Sequence, residues 1–288
     1  MTEHTLVGWD GSPAARRAAE WATHRALATG EPITLIQVVA PGPAGADDVT
    51  LIRAVESAED EAISIRHRYP VLDVRSEVLV GEALADLRAC SDEHRLLVVG
   101  TDDLGTTTRT SGWSLGSRLA ASCSGPVAVI PQLGAGERHG VVLGIENREE
   151  DESAIELAAR EAIAREEPLH VVHAWHQAPA AGARGLNPEF IAWLGDAHET
   201  ALSEAVERIE RDFPEVSLQQ HLSEGRPADA LHAFAGSATA LVVGTRGRGA
   251  VLRFFLGSTS HQLLLTIDAP TIVVPRRPVS VPDDETAR

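Results

Sequence analysis
The chain repeats itself. Residues 5–40 align with 141–176 at a constant offset of 136, and residues 80–131 align with 224–275 at an offset of 144. Leu6-Val7-Gly8-Trp9-Asp10 lies over Val142-Leu143-Gly144-Ile145-Glu146. Leu97-Val98-Val99-Gly100-Thr101 lies over Leu241-Val242-Val243-Gly244-Thr245. Self-similarity on this scale means that whatever unit one copy builds, the other builds again. The change of offset places about eight extra residues in the second copy, and the Pro/Gly/Ala-rich run from Ala178 to Pro188 takes them as a loop.

Each copy alternates short β-branched runs with longer helical stretches. Strands are expected at 5–10, 33–39, 73–80, 96–100 and 127–130, and again at 140–146, 169–175, 216–223, 240–244 and 271–274. Helices are expected at 13–28, 47–68, 82–93 and from 114, with counterparts at 150–165, 188–212, 226–236 and from 258. Strand–helix alternation predicts an α/β protein of two tandem five-stranded parallel-sheet domains, Rossmann-like, with helices on both faces. The expected boundaries are 1–133 and 141–275, a linker at 134–140 and a disordered tail at 276–288.

The net charge of −17 argues against nucleic acid or an anionic membrane as a general partner, because phosphate surfaces demand a basic face. No apolar run approaches the ~20 residues of a membrane helix, and Met1-Thr-Glu-His-Thr lacks a basic leader. Two cysteines, Cys90 and Cys123, are too few for a disulfide framework, so a reduced cytoplasm is expected. All 25 basic residues are arginine. A Walker lysine and Schiff-base chemistry are therefore excluded, and any phosphate must be held by backbone amides and arginines.

Such a cradle is written between Leu241 and Ser260. A buried-type strand ends at Gly244. Gly247, Gly249 and Gly257-Ser258 follow, flanked by Arg246, Arg248 and Arg253, and Ser258 opens a helix. Glycines let backbone approach a ligand, and a helix N-terminus offers unpaired N–H groups and positive potential. The spacing Gly-x2-Gly-x9-Gly-Ser resembles the ATP-binding signature of the universal stress protein family, and the resemblance extends over about 1–131 and 140–275. It implies an adenine nucleotide alpha hydrolase-like fold, with a nucleotide at the carboxyl ends of the first and fourth strands, where the strand order reverses. Carried over to this chain, Gly244, Gly247, Gly249, Gly257 and Ser258 would meet phosphates, with Arg246 and Arg248 as support. Glu146 would take the ribose and the backbone around Ala174 the adenine. The corresponding positions Asp10, Val38, Gly100 and Ser114 of the first copy carry a weaker expectation.

The weakness is local. At the offset of 144, Asp102, Asp103 and Trp113 replace Arg246, Gly247 and Gly257, so two carboxylates and an indole stand where phosphate should lie. The expected function is therefore a cytoplasmic ATP-binding stress or regulatory protein with one competent site, in the second copy, with Mg²⁺ as an optional companion of the nucleotide. The acidic run Glu149–Glu152 reads first as favourable charge at a helix N-terminus and only second as a weak Mg²⁺ locus. No catalytic residue and no metal centre is assigned. A nucleotide-independent interaction scaffold and a weak ATPase are the alternatives. The resemblance also implies that the last strands pair the two copies within the chain, and it leaves room for a homodimer. Two local patterns are set aside. Gly112-Trp-Ser-Leu-Gly116 resembles a nucleophile elbow but lacks a strand ending at the serine. His170, His173 and His176 alternate across a strand and cannot converge on a metal, while Cys90 and His94 would share a helix face without further ligands.

Overall fold
The computed structural model describes residues 2–42, 48–102, 114–134, 136–146, 151–175, 188–245, 258–265 and 268–276. The first half runs β1 (His4–Trp9), α1 (Pro13–Thr29), β2 (Ile33–Val39), α2 (Asp48–Arg68), β3 (Val74–Val80), α3 (Ala83–Ala89), β4 (Arg95–Gly100), α4 (Leu115–Ser122) and β5 (Val127–Ile130). The second runs β6 (Val141–Ile145), α5 (Glu152–Arg165), β7 (Leu169–Trp175), α6 (Pro188–Asp212), β8 (Leu218–Glu224), α7 (Pro227–Ala235), β9 (Ala240–Gly244), α8 (Ser258–Leu265) and β10 (Thr271–Val274). The expected α/β architecture is the one observed. The strands of each half are parallel, and together they form one ten-stranded sheet in the order β3-β2-β1-β4-β5-β10-β9-β6-β7-β8.

Burial follows the letters. The continuous apolar run Leu96–Val99 of β4 is buried on both faces, as a central parallel strand must be, whereas the mixed strands β3 and β8 lie at the two edges. One core layer gathers the alanine faces of α1 and α5 with residues of α2 and α6, and the opposite layer gathers residues of α3, α4, α7 and α8. Ser12 caps α1 by accepting from the Ala15 N–H, Pro13 takes the first turn, and Gly30 closes the helix in the left-handed region at φ 73°.

The centre of the sheet is an antiparallel junction, where β5 meets β10 with Ala128 opposite Ile272. Behind it α1 packs against α5 through a buried ion-pair row. Arg25 donates to Glu161 and Glu31 at 2.6 Å each, and Glu161 also meets Arg165 at 3.3 Å. Burial alone would weaken the protonation of Arg25, but Glu161 and Glu31 more than reverse it, and its pKa is raised above the usual arginine value.

One expected helix is shorter than its pattern. α3 stops at Ala89 with Cys90 as its C-cap, so Cys90 and His94 do not share a helix face. The turn Arg95 N–H to Asp92 carbonyl takes over there and leads directly into β4. Of the tail expected at 276–288, all but Arg276 lies outside the described residues.

Candidate functional site
The sheet order reverses between β1 and β4 in the first half and between β6 and β9 in the second, so each half opens a crevice at those carboxyl ends. In the first crevice Asp10 is exposed directly after β1, and its Oδ1 accepts from the Ser12 N–H at 2.9 Å. Gly100 ends β4 against helix α1. A Cβ at Gly100 would lie 2.0 Å from the Ala14 carbonyl oxygen, so the glycine is what lets the helix reach the strand end. Arg17 then bridges the crevice by donating to Asp102 Oδ1 at 2.6 Å and to the Thr101 carbonyl at 3.1 Å. Ser114 caps α4 by accepting from the Ser117 N–H, and Val38 is half-buried on β2.

Arg17 changes the electrostatic reading of this loop. Asp102 is not a bare repulsive charge, because a guanidinium from α1 already matches it. The pair is partly exposed and stabilises the fold by no more than ~1 kcal/mol. Asp103 and Trp113 lie outside the described residues.

The second crevice is built differently. Helix α5 begins at Glu152 rather than at Glu149, the position equivalent to Pro13. Asp151, 7% exposed, is thereby placed across the crevice mouth. Its Oδ2 accepts from the Glu146 N–H at 2.8 Å, and its Oδ1 lies 2.9 Å from where a Cβ on Gly244 would stand. Ser260 Oγ, on α8, donates to the Gly244 carbonyl at 3.0 Å and ties the start of that helix to the end of β9. Glu146 is exposed beside these groups. The structure thus brings Glu146, Gly244 and the beginning of α8 at Ser258 to one end of the sheet. Arg246, Gly247, Arg248, Gly249 and Gly257 lie outside the described residues.

The wall beyond Glu146 is aromatic. His173 is buried, and its Nδ1 faces the Ile145 carbonyl at 3.1 Å. A carbonyl only accepts, so Nδ1 carries a proton; in the neutral pair Nε2 then accepts from His198 Nδ1, 2.9 Å away. Trp175 stacks on His198 with ring centroids 5.1 Å apart, which gives the strand-end tryptophan a partner within the protein. Burial, and secondarily His173, holds the His198 pKa below the usual histidine value. His170 points to the other face and meets His221 instead, as strand alternation requires, and Ala174, half-buried, is on that same face. Among the described residues, no three His, Cys, Asp or Glu side chains come together as a metal-holding group.

Two residues escaped the sequence reading. Asp151 was visible only as part of an acidic run at a helix start, and nothing in that run marks which acid turns inward. Arg17 sits one turn inside α1, and only the adjacency of β1 and β4 brings it to Asp102, 85 residues away.

Comparison with known proteins gives the same outline. The profile of the Universal stress protein family matches residues 1–131 and 137–275. A universal stress protein of Mycobacterium tuberculosis is 29% identical, with 95% of this chain and 96% of that protein covered. A second from the same organism is 30% identical, over 93% and 95%. A crystal structure of a universal stress protein from Archaeoglobus fulgidus superposes with a TM-score of 0.67 at 16% identity, over 96% of this chain and 100% of that one. The cytoplasmic domain of a prokaryotic cation chloride cotransporter shares the fold at a TM-score of 0.53 and 13% identity, over 95% of each chain.

Proposed function
The chain belongs to the universal stress protein family, and from that premise we propose that it is an ATP-binding regulatory protein whose working site is the crevice of its second half. The observation that carries this reading is the difference between the two crevices. In the first, α1 backbone closes on Gly100 and the Arg17–Asp102 pair spans the opening. In the second, the helix starts later, and among the described residues the carboxylate of Asp151 is what faces Gly244. Gly244, the glycine-rich run through Gly249 and the Gly257-Ser258 helix start supply the phosphate cradle, with Arg246 and Arg248 beside it. Glu146 takes the ribose, and the β7 backbone at Ala174 the base.

Asp151 adds a condition. A buried carboxylate next to a polyphosphate repels it, by about 4 kcal/mol per pair of unit charges at ~4 Å and an effective dielectric of 20. With Mg²⁺ bound, Asp151 would help hold the cation and the cation's charge would offset this repulsion; a carboxylate together with substrate phosphates is a ligand set that suits Mg²⁺. Asp151 fits that role, so the ligand is taken to be the Mg²⁺ complex.

Calorimetry of the whole chain with ATP tests the reading. Close to one ATP per chain is expected, with tighter binding in Mg²⁺ than in a chelator, and at least a tenfold loss, about 1.4 kcal/mol, in Gly247→Asp. Two equivalent sites, or unchanged affinity in Gly247→Asp, would refute it. A scaffold function has one observation in its favour: Val49, Ile52, Val55 and Ile63 stand exposed along α2. Failure of the folded chain to bind any adenine nucleotide would select it.

A further inference from the structure
Arg25 and Glu161 are separated by 136 residues, which is the repeat offset, and they touch. Ala128 and Ile272 are separated by the offset of the later block, 144, and they pair directly across the β5–β10 junction. A residue that meets its own repeat-equivalent lies on the pseudo-twofold axis. That axis therefore passes through Ala128 and Ile272 in the sheet and through Arg25 and Glu161 in the helix layer. Groups on a twofold axis face themselves when like subunits pair, and face their equivalents when unlike ones do.

We propose that the buried row Glu31–Arg25–Glu161–Arg165 selects unlike halves as partners, so that a first half accepts a second half and rejects another first half. In the observed pairing the charges alternate along the row, minus, plus, minus, plus. Each half also brings its own compensation, Glu31 for Arg25 and Arg165 for Glu161, so neither carries a bare buried charge into the encounter. Pairing two first halves would instead abut two Arg25 side chains, and pairing two second halves would abut two Glu161 side chains. Arg25 and Glu161 are each 1% exposed, so water does not screen that contact.

The flank of the axis discriminates in the same sense. Trp21 donates its Nε1–H to the Thr239 carbonyl at 3.3 Å and lies under the Arg165 guanidinium, 5.6 Å from ring centroid to carbon. The repeat-equivalent of Arg165 is Thr29, so a second first half would offer Trp21 no cation. Steric fit alone could hold the two halves together. The sign pattern adds a choice of partner, of the kind that places repulsion in the wrong complex.

The test keeps the whole chain until it is folded. A protease site is inserted after Gly134 in the exposed linker, the purified protein is cut, and the nicked protein is incubated until its halves exchange. Native mass spectrometry then counts first–second, first–first and second–second pairs, which differ in mass. Unlike pairs should exceed like pairs by at least ~100-fold, about 2.8 kcal/mol at 1.4 kcal/mol per decade. In Arg25→Met with Glu161→Leu the like pairs should rise at least ~10-fold, because apolar replacement at the axis removes the two charges that would abut their own kind in like pairs, while Glu31 and Arg165 stay on the flanks. Glu161→Gln keeps the side-chain shape and the hydrogen bond to Arg25, and should move the ratio in the same direction if the double variant does not fold. Statistical mixing in the parent overturns the proposal. So does parental selectivity in a folded variant that lacks the axial charge pair Arg25–Glu161.

Discussion

Gly100 and Gly244 occupy the same place in the repeat, yet the structure gives their substitution by alanine very different consequences. A Cβ at Gly100 would stand 2.0 Å from the Ala14 oxygen, 2.3 Å from its carbonyl carbon and 2.9 Å from its Cα. All three are backbone atoms inside α1, so no rotamer change relieves the overlap, and replacing Ala14 cannot help. The helix must withdraw by more than ~1 Å from a sheet on which Ala15, Ala18 and Ala22 are buried. Overpacking of this kind costs about 1–3 kcal/mol, and a backbone clash belongs at the upper end. For a chain of this size, 3 kcal/mol lowers Tm by roughly 6–12 °C. At Gly244 the nearest atom is Asp151 Oδ1 at 2.9 Å, the end of a side chain, with Asp151 Cγ at 3.9 Å and Ala154 Cβ at 4.0 Å. Gly244→Ala should cost only ~1 kcal/mol, or about 2–4 °C, as the carboxylate swings and weakens its bond from the Glu146 N–H. Scanning calorimetry of the two variants without ligand decides the matter, and nucleotide titration adds a second reading. Gly244→Ala should change ATP affinity, whereas Gly100→Ala should not. Equal losses of Tm, or a larger loss at Gly244, would refute the assignment of Gly100 to helix–strand contact and of Gly244 to the ligand crevice.

Four partly buried histidines give a pH signature. Burial lowers the pKa values of His4, His170, His198 and His221 below the ordinary 6.5, so the unfolded chain takes up protons first. Stability should therefore be level above about pH 6.5, fall as the pH drops below it, and flatten once the folded histidines protonate. Urea midpoints between pH 7.5 and 5 should show this, with a shallower fall in His198→Gln; stability that rises on acidification would contradict the burial argument. Thiol chemistry should separate the cysteines, since burial pushes the Cys123 thiol up to about 11 while Cys90 is half-exposed. Iodoacetamide at pH 8 should label Cys90 first, and Cys123 only after denaturant is added; equal rates in the folded protein would show that Cys123 is not enclosed. Arg17→Ala should leave Tm within about 2 °C, because its ion pair is partly exposed, and should leave ATP stoichiometry near one; a second bound nucleotide would show that Arg17, rather than the loop, closes the first crevice.

Much of the architecture was legible because repetition and apolar runs are read without knowing any contact. The runs at Leu96–Val99 and Leu241–Val243 mark strands buried on both faces, and the sheet uses them beside its centre. Mixed polarity at Val74–Val80 and Leu218–Glu224 marks strands with a wet face, and those lie at the edges. Ser12-Pro13 announces the start of α1 in two letters, a cap and a residue suited to the first turn. The second copy has no such signal. Four consecutive acids from Glu149 to Glu152 are each acceptable near a helix N-terminus, so pattern alone cannot say which one is the cap.

That ambiguity is where the site escaped the sequence. Had α5 begun at Glu149, Asp151 would have taken the position of Ala15 within the first turn, and Gly244 would have met helix backbone as Gly100 does. Beginning at Glu152 instead, the helix leaves Asp151 as its N-cap, and the carboxylate turns to the Glu146 N–H rather than to its own first turn. A shift of one helical turn thus converts a closed contact into an acidic crevice, without any change in the glycine itself. Arg17 is the counterpart case, since its partner lies 85 residues away and the strand order alone makes them neighbours. The glycines proposed to meet phosphate are found by spacing. Which of the two crevices has helix backbone against its strand-end glycine depends on where the helix after the first strand begins, and that is fixed by packing.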